Sequence, residues 1–213
     1  SALNLSKIKI LIYDFDGVIC QSVNIKTEAF RELYKHQSKD KIEEFIDFHY
    51  EHGGVSRFKK IEHMETKILK KKKNKKDINE LAMKFSESVK DKVINSDYVD
   101  GADYFIKKNS ELFKQYICTG TPNDEINKIV EGKHITKYFD GVFGSPATKV
   151  EIIERILKQN KVDSDKVIFF GDALTDYKAA MITGCKFIGI KNLHTDFPKD
   201  CNLINDFKNL QIK

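Results

Sequence analysis

Ile10-Leu11-Ile12-Tyr13-Asp14-Phe15-Asp16-Gly17-Val18 places two carboxylates, one residue apart, at the end of an apolar run. From Ile8 to Tyr13 the only polar side chain before the tyrosine hydroxyl is Lys9, so no polar face alternates with an apolar one. Such a segment suits a parallel strand covered by helices on both faces. Ligands of open α/β sheets bind beyond the carboxyl ends of these strands. Gly17 permits an abrupt turn there, which can swing the Asp16 carboxylate over that of Asp14.

Outward from this strand the pattern first turns helical. Ala29 and Leu33, then Phe45 and Phe48, then Ile61, Met64 and Ile68 recur at helical spacings. Ile78, Leu81, Phe85, Val89 and Val93 continue the stripe. Residues 22–95 are therefore expected to form three or four amphipathic helices, broken at His52-Gly53-Gly54 and again at the lysine run 70–76. Strands and helices then alternate. Strands are expected at Phe113–Cys118, Phe139–Phe143, Val167–Phe170 and Phe187–Ile190, with a short last one at Cys201–Ile204. Helices are expected at Ala102–Ser110, from Asn123 to Val130 with Asn123 as cap, at Thr148–Gln159 and through Met181. Alternation of this kind predicts an α/β fold, a Rossmann-like parallel sheet, with the helical block inserted after its first strand.

Composition bounds the rest. The 213 residues are 40% hydrophobic and 32% charged, which suits a globular chain. No apolar run is long enough to span a bilayer and no signal-peptide pattern precedes the first strand, so a cytoplasmic location without membrane association is expected. Cys20, Cys118, Cys185 and Cys201 are dispersed and read as reduced thiols. Much of the net charge of +5 comes from Lys70-Lys71-Lys72-Lys73-Asn74-Lys75-Lys76. That run lacks the arginines and interleaved aromatics of a nucleic-acid surface, so it reads as a solvated helix end and loop, and no nucleic-acid partner is expected.

Four strand ends carry the polar groups: Asp14 with Asp16, Thr119 with Gly120, Lys149 after Gly144-Ser145-Pro146, and Asp172 with Asp176. Carboxylates gathered at one sheet edge repel and lose hydration, which calls for a counter-ion. Oxygen ligands select a hard cation, and Mg2+ fits a site that also receives a phosphate. Lys149 early in a helix opposes the helix dipole unless an anion lies beside it.

Asp14-Phe15-Asp16-Gly17-Val18, Cys118-Thr119-Gly120-Thr121-Pro122, Gly144-Ser145-Pro146-Ala147-Thr148-Lys149 and Gly171-Asp172-Ala173-Leu174-Thr175-Asp176 together resemble, in order and spacing, the four motifs of the haloacid dehalogenase superfamily. The long helical insertion is similar to the cap of its phosphoglycolate phosphatase and β-phosphoglucomutase branch. The resemblance implies an α/β core over 1–20 and 97–213 with a helical cap domain over 21–96. It further implies Asp14 as nucleophile forming an aspartyl-phosphate, and Asp16 as acid and base, its backbone carbonyl also a metal ligand. Thr119 and Gly120 would hold the transferred phosphoryl group, Lys149 would bind it and steady Asp14, and Asp172 would bind Mg2+ directly with Asp14, Asp176 being a ligand through water or a residue that positions the site. Departures lie at Cys20-Gln21, where many relatives carry an acidic residue, and at Ala173. In the dehalogenase branch the position of Asp16 is not acidic, so the aspartate implies phosphoryl transfer.

Substrate choice is expected to reside in the break 52–60, where Arg57, with Lys59 or Lys60 and His52, reaches the part of the substrate that is not transferred. The alternative is a plain helix connection with Ser56 as N-cap and Arg57 facing solvent. The function that follows is a magnesium-dependent phosphatase of a small phosphorylated metabolite, a sugar phosphate first, acting as a monomer or weak dimer. A phosphomutase of the β-phosphoglucomutase type is the alternative, and a non-catalytic binding protein a further one.

Overall fold

In the computed structural model, which describes residues 5–212, the apolar run becomes β1 (Ile10–Tyr13), every residue of it buried. β2 (Lys114–Pro122) and β4 (Val167–Gly171) pair with it in parallel, one on each edge. β3 (Gly141–Ser145), β5 (Lys186–Ile190) and β6 (Leu203–Ile204) extend the sheet, giving the order β3-β2-β1-β4-β5-β6, parallel throughout. The α/β expectation is met. Strand side chains alternate between faces, and β1 feeds two separate cores. Ile10 and Ile12 pack with Cys118, Phe169 and Ile153 on one side, Leu11 and Tyr13 with Ile117, Ile168 and Phe170 on the other.

Between β1 and β2, neighbours in the sheet, the chain runs through α1 (Val23–Leu33), α2 (Lys39–Glu51), α3 (Arg57–His63), a π-helical turn (Met64–Ile68) and α4 (Lys75–Ile94). The expected stripe is the buried one: Ile78, Phe85, Val89 and Val93 of α4 face inward, Phe85 stacking on Phe30 with ring centroids 4.2 Å apart. This segment shares the core on the Leu11 and Tyr13 side of the sheet. Ser56 caps α3 by accepting from Lys59 N, as its position suggests. All six lysines of 70–76 are exposed, with Lys73 bridging to Glu62 at 2.6 Å and Lys71 to Glu65 at 3.6 Å.

Helices α5 (Ala102–Asn109), α6 (Asn123–Gly132), α7 (Lys149–Asn160) and α8 (Leu174–Thr183) cover the sheet. β2 runs on to Pro122, past its expected end at Cys118. Asn123 is not the cap of α6: that position falls to Pro122, and the Asn123 Oδ1 accepts from Gly144 N at 3.0 Å, tying β2 to β3. Thr148 and Glu151 form a reciprocal capping box on α7, which sets Lys149 at the first helical position. The four cysteines are free, three of them buried. Among the described residues no helix is long and apolar enough to cross a membrane.

Candidate active site

The C-terminal ends of β1, β2 and β4 and the N-termini of α7 and α8 bring the motif residues together. Asp14, 3% exposed, accepts from Phe15 N through Oδ1 at 2.7 Å and from Lys149 Nζ through Oδ2 at 2.8 Å. Lys149 Nζ also donates to Asp176 Oδ1 at 2.6 Å. The second Asp176 oxygen accepts from the Asp172 and Ala173 amides, so this fully buried carboxylate both caps α8 and fixes Lys149. Thr119, beside them at 2% exposure, accepts from Thr121 N at 3.3 Å, which leaves its own proton to donate into the site.

Asp14, Asp172 and Asp176 each offer an oxygen within 4.8 Å of one another. Burial, then the charge on Asp14, pushes the Asp172 carboxyl up to about 8, and the same causes raise Asp176. Such crowding of acids favours their protonated forms unless a cation compensates. The Asp172 carboxylate has no hydrogen-bond donor from another residue among the described ones, while its backbone carbonyl is pinned by Asn192 Nδ2 at 2.8 Å and Thr195 Oγ1 at 2.7 Å. The donor set is all oxygen and one carboxylate is uncommitted, which fits a hard divalent cation. A Cβ at Gly17, whose φ is +75°, would lie 2.2 Å from Asp172 Oδ2, so the turn after Asp16 and the Asp172 carboxylate need glycine twice over, for space and for backbone.

Asp16 is turned away from this cluster. Its carboxylate accepts from Ser22 Oγ and from Lys26 Nζ, each at 2.5 Å, and Lys26 also donates to Thr121 Oγ1 at 2.7 Å. Burial alone would raise the Asp16 carboxyl; Lys26, with Ser22, holds it below its ordinary value. Lys26 was not legible as a site residue in the sequence. Its one signal is position, four residues after the buried Ser22 at the start of α1.

The helical segment closes over these groups. Gly53 O accepts from Thr175 Oγ1 at 2.6 Å, and Gly54 sits so close to Lys149 that a Cβ there would fall 2.4 Å from Nζ. Between segment and sheet lies a cavity of about 560 Å³ lined by Asp14, Asp16, Thr119, Asp172, Arg57 and Lys60 among others.

A model of the haloacid dehalogenase-like hydrolases matches residues 11–190. The chain belongs to that family. No curated protein sequence matches it. Among solved structures of similar fold, a predicted phosphoglycolate phosphatase from Haemophilus somnus 129PT is 14% identical, with TM-score 0.76 over 96% of each chain. The β-phosphoglucomutase of Clostridium difficile is 18% identical, TM-score 0.76, covering 96% of this chain and 93% of its own. CbbY from Rhodobacter sphaeroides in complex with phosphate is 14% identical, TM-score 0.74, over 95% and 96%.

The segment 52–60 departs from expectation within this family fold. Lys59 is exposed and His52 is turned back onto its own helix, with Nδ1 3.0 Å from Phe48 O and its ring stacked on Phe48; neither lines the cavity. Arg57 is neither solvent-facing nor free. Its guanidinium forks onto Glu125 of α6 at 3.0 and 2.7 Å, donates to Ser86 and lies 4.7 Å over the Phe85 ring. At 3% and 8% side-chain exposure this is a buried ion pair joining the helical segment to the sheet layer. Arg57→Ala is expected to destabilise the fold by about 3–5 kcal/mol, because Glu125 is left buried without its partner. Urea unfolding measures this, and the double variant Arg57→Met with Glu125→Leu should recover most of the loss.

Lys60 and His49 are the polar pair on the cavity's helical side. Lys60 Nζ lies 2.8 Å from His49 Nδ1, and His49 Nε2 lies 2.9 Å from Thr27 Oγ1. Burial, then the charge on Lys60, pulls the His49 pKa down to about 2. The folded protein therefore keeps His49 neutral while the unfolded chain protonates it below its ordinary 6.5, so stability falls as pH drops through that window. For this one site the loss between about pH 7.5 and 5 is about 2 kcal/mol. Urea unfolding across that range should show it, and His49→Gln, which cannot take the proton, should lack that share.

Proposed function

We propose that the protein is a magnesium-dependent phosphatase of small phosphomonoesters, sugar phosphates foremost, acting through an aspartyl-phosphate on Asp14. The observation that carries this reading is the buried Asp14 carboxylate held by Lys149, with Asp172 and Asp176 within 4.8 Å, at the floor of a cavity sized for a metabolite. Asp14, Asp172 and the Asp16 backbone carbonyl would hold the cation, with Asp176 supporting them. When bound, it would neutralise the phosphoryl charge that faces these acids.

In this reading Asp14 attacks phosphorus and the bond to the leaving oxygen breaks, with Asp16 supplying that oxygen's proton. Asp16 then takes a proton from water, which attacks the acyl phosphate and returns Asp14. Thr119, the Gly120 amide and Lys149 hold the phosphoryl oxygens through both steps. Asp16, held ionised in a clamp of Lys26 and Ser22, must leave that clamp and take up a proton before it serves as the acid, and the proton it later takes from water restores that form for the next turnover. Residues 21–96 serve as a cap domain that keeps water from the site, over a core of 1–20 and 97–213. A monomer or weak dimer in the cytoplasm, with no nucleic-acid partner, completes the reading.

Phosphate release from p-nitrophenyl phosphate and a panel of sugar phosphates tests it. Turnover is expected to vanish in EDTA and to return with added Mg2+. Release unaffected by chelation would remove the metal from the mechanism, and isomerised hexose phosphate in place of free phosphate would make the enzyme a mutase.

A further inference from the structure

Three acid–base sets lie around the cavity, and of the two buried cations that line it, Arg57 and Lys60, one belongs to none of them. Lys149 serves Asp14 and Asp176, Lys26 serves Asp16, and Arg57 serves Glu125. Lys60, 4% exposed and lining the same cavity, forms no ion pair among the described residues. Burial first, then the charge on Lys26, pulls its pKa down to about 7, while Asp16 and Asp172 raise it from beyond ion-pair distance. A buried ammonium with no counter-ion is costly to the fold.

The hydrogen bonds behind it explain how it is held. Thr27 Oγ1 donates its single proton to Val23 O at 3.1 Å, so toward His49 Nε2 it can only accept. His49 therefore carries its proton on Nε2 and presents the Nδ1 lone pair to Lys60. A neutral ring in this tautomer orients the amine without cancelling its charge. The remaining Lys60 protons are left for the cavity.

We propose that Lys60, oriented by His49 and Thr27, binds a second anionic group, a carboxylate or a phosphate, on the part of the substrate that is not transferred. The proposal rests on the phosphatase reading above and narrows its substrates to small phosphomonoesters anionic at both ends. Arg57, the cation otherwise suited to this task, is already engaged by Glu125 and Ser86. The apolar faces of Phe30 and Phe85 line the space between, which strengthens an ion pair formed there by excluding water.

Substrate pairs that differ by one anion decide the matter: 2-phosphoglycolate against ethyl phosphate for a carboxylate, fructose 1,6-bisphosphate against fructose 6-phosphate for a phosphate. The wild type is expected to prefer the doubly anionic member of one pair in kcat/KM. Lys60→Met should reduce that preference by roughly 10- to 100-fold, mainly through KM, as loss of a charge-assisted hydrogen bond does, and Lys60→Arg should restore part of it. A preference that survives Lys60→Met overturns the assignment. So does a wild type with no preference in either pair, a result that needs no folded variant. Phosphate release without preference refutes the Lys60 assignment alone, whereas release from none of these esters or from the sugar-phosphate panel removes the phosphatase reading and this proposal with it.

Discussion

Asp14→Asn is expected to lower phosphate release by on the order of 10⁴-fold or more while leaving the fold in place. The amide keeps the shape of the carboxylate, and its one oxygen can accept from either Phe15 N or Lys149, the two donors that hold the side chain at the end of β1. It cannot attack phosphorus and form a labile acyl phosphate. It also removes one of the three charges that crowd the site, so repulsion presses less on Asp172. The measurements are turnover at saturating substrate and trapping of a phosphorylated, acid-stable and alkali-labile protein. Activity within tenfold of the wild type would show that another group attacks.

Lys149→Met should damage both chemistry and stability. Removing one preorganised donor from the developing phosphoryl charge costs about 10³-fold in kcat. The structural effect comes from the two acids it joins, Asp14 at 2.8 Å and Asp176 at 2.6 Å. With the ammonium gone, two buried carboxylates lose their counter-ion, a loss of about 3–5 kcal/mol. Its pH dependence has a definite sign. Burial first, then Asp14, already raise Asp176, and Lys149 is what opposes them. In the variant the folded state therefore holds the Asp176 proton to higher pH than the unfolded chain does, so stability decreases as pH rises through that interval. Urea unfolding at mildly acid and mildly alkaline pH should show a larger deficit on the alkaline side, and Mg2+ should narrow it. Equal deficits at both would mean that Lys149 contributes by packing alone.

The residues that were legible and those that were not differ in the kind of constraint they answer. Strand β1 was legible because burial on both faces demands an unbroken apolar run, and that demand is local. Lys149 was legible because it stands where the helix dipole disfavours it, a local conflict with one resolution. Asn123 misled, since capping was the nearest use for its amide, whereas a neighbouring strand offered Gly144 N. Arg57 misled for the same reason at longer range: a cation in a flexible break looks available until Glu125, distant in sequence, is brought against it. Lys26 gave no signal beyond its position after Ser22, because a lysine on an amphipathic helix is ordinary and only the closure of α1 over the sheet sets it on Asp16.

The sequence by itself determined the parallel α/β sheet, the helical block that interrupts it after β1, and the acids and lysine at the strand ends. Each of these follows from periodicity, burial and charge within a few residues. Tertiary structure alone decided the pairing of charges: Lys26 with Asp16, Arg57 with Glu125, Lys149 between two aspartates, and Lys60 with a neutral histidine in place of an acid. Pairing depends on which side chains meet across the cavity in a water-poor space, and no spacing along the chain encodes that meeting.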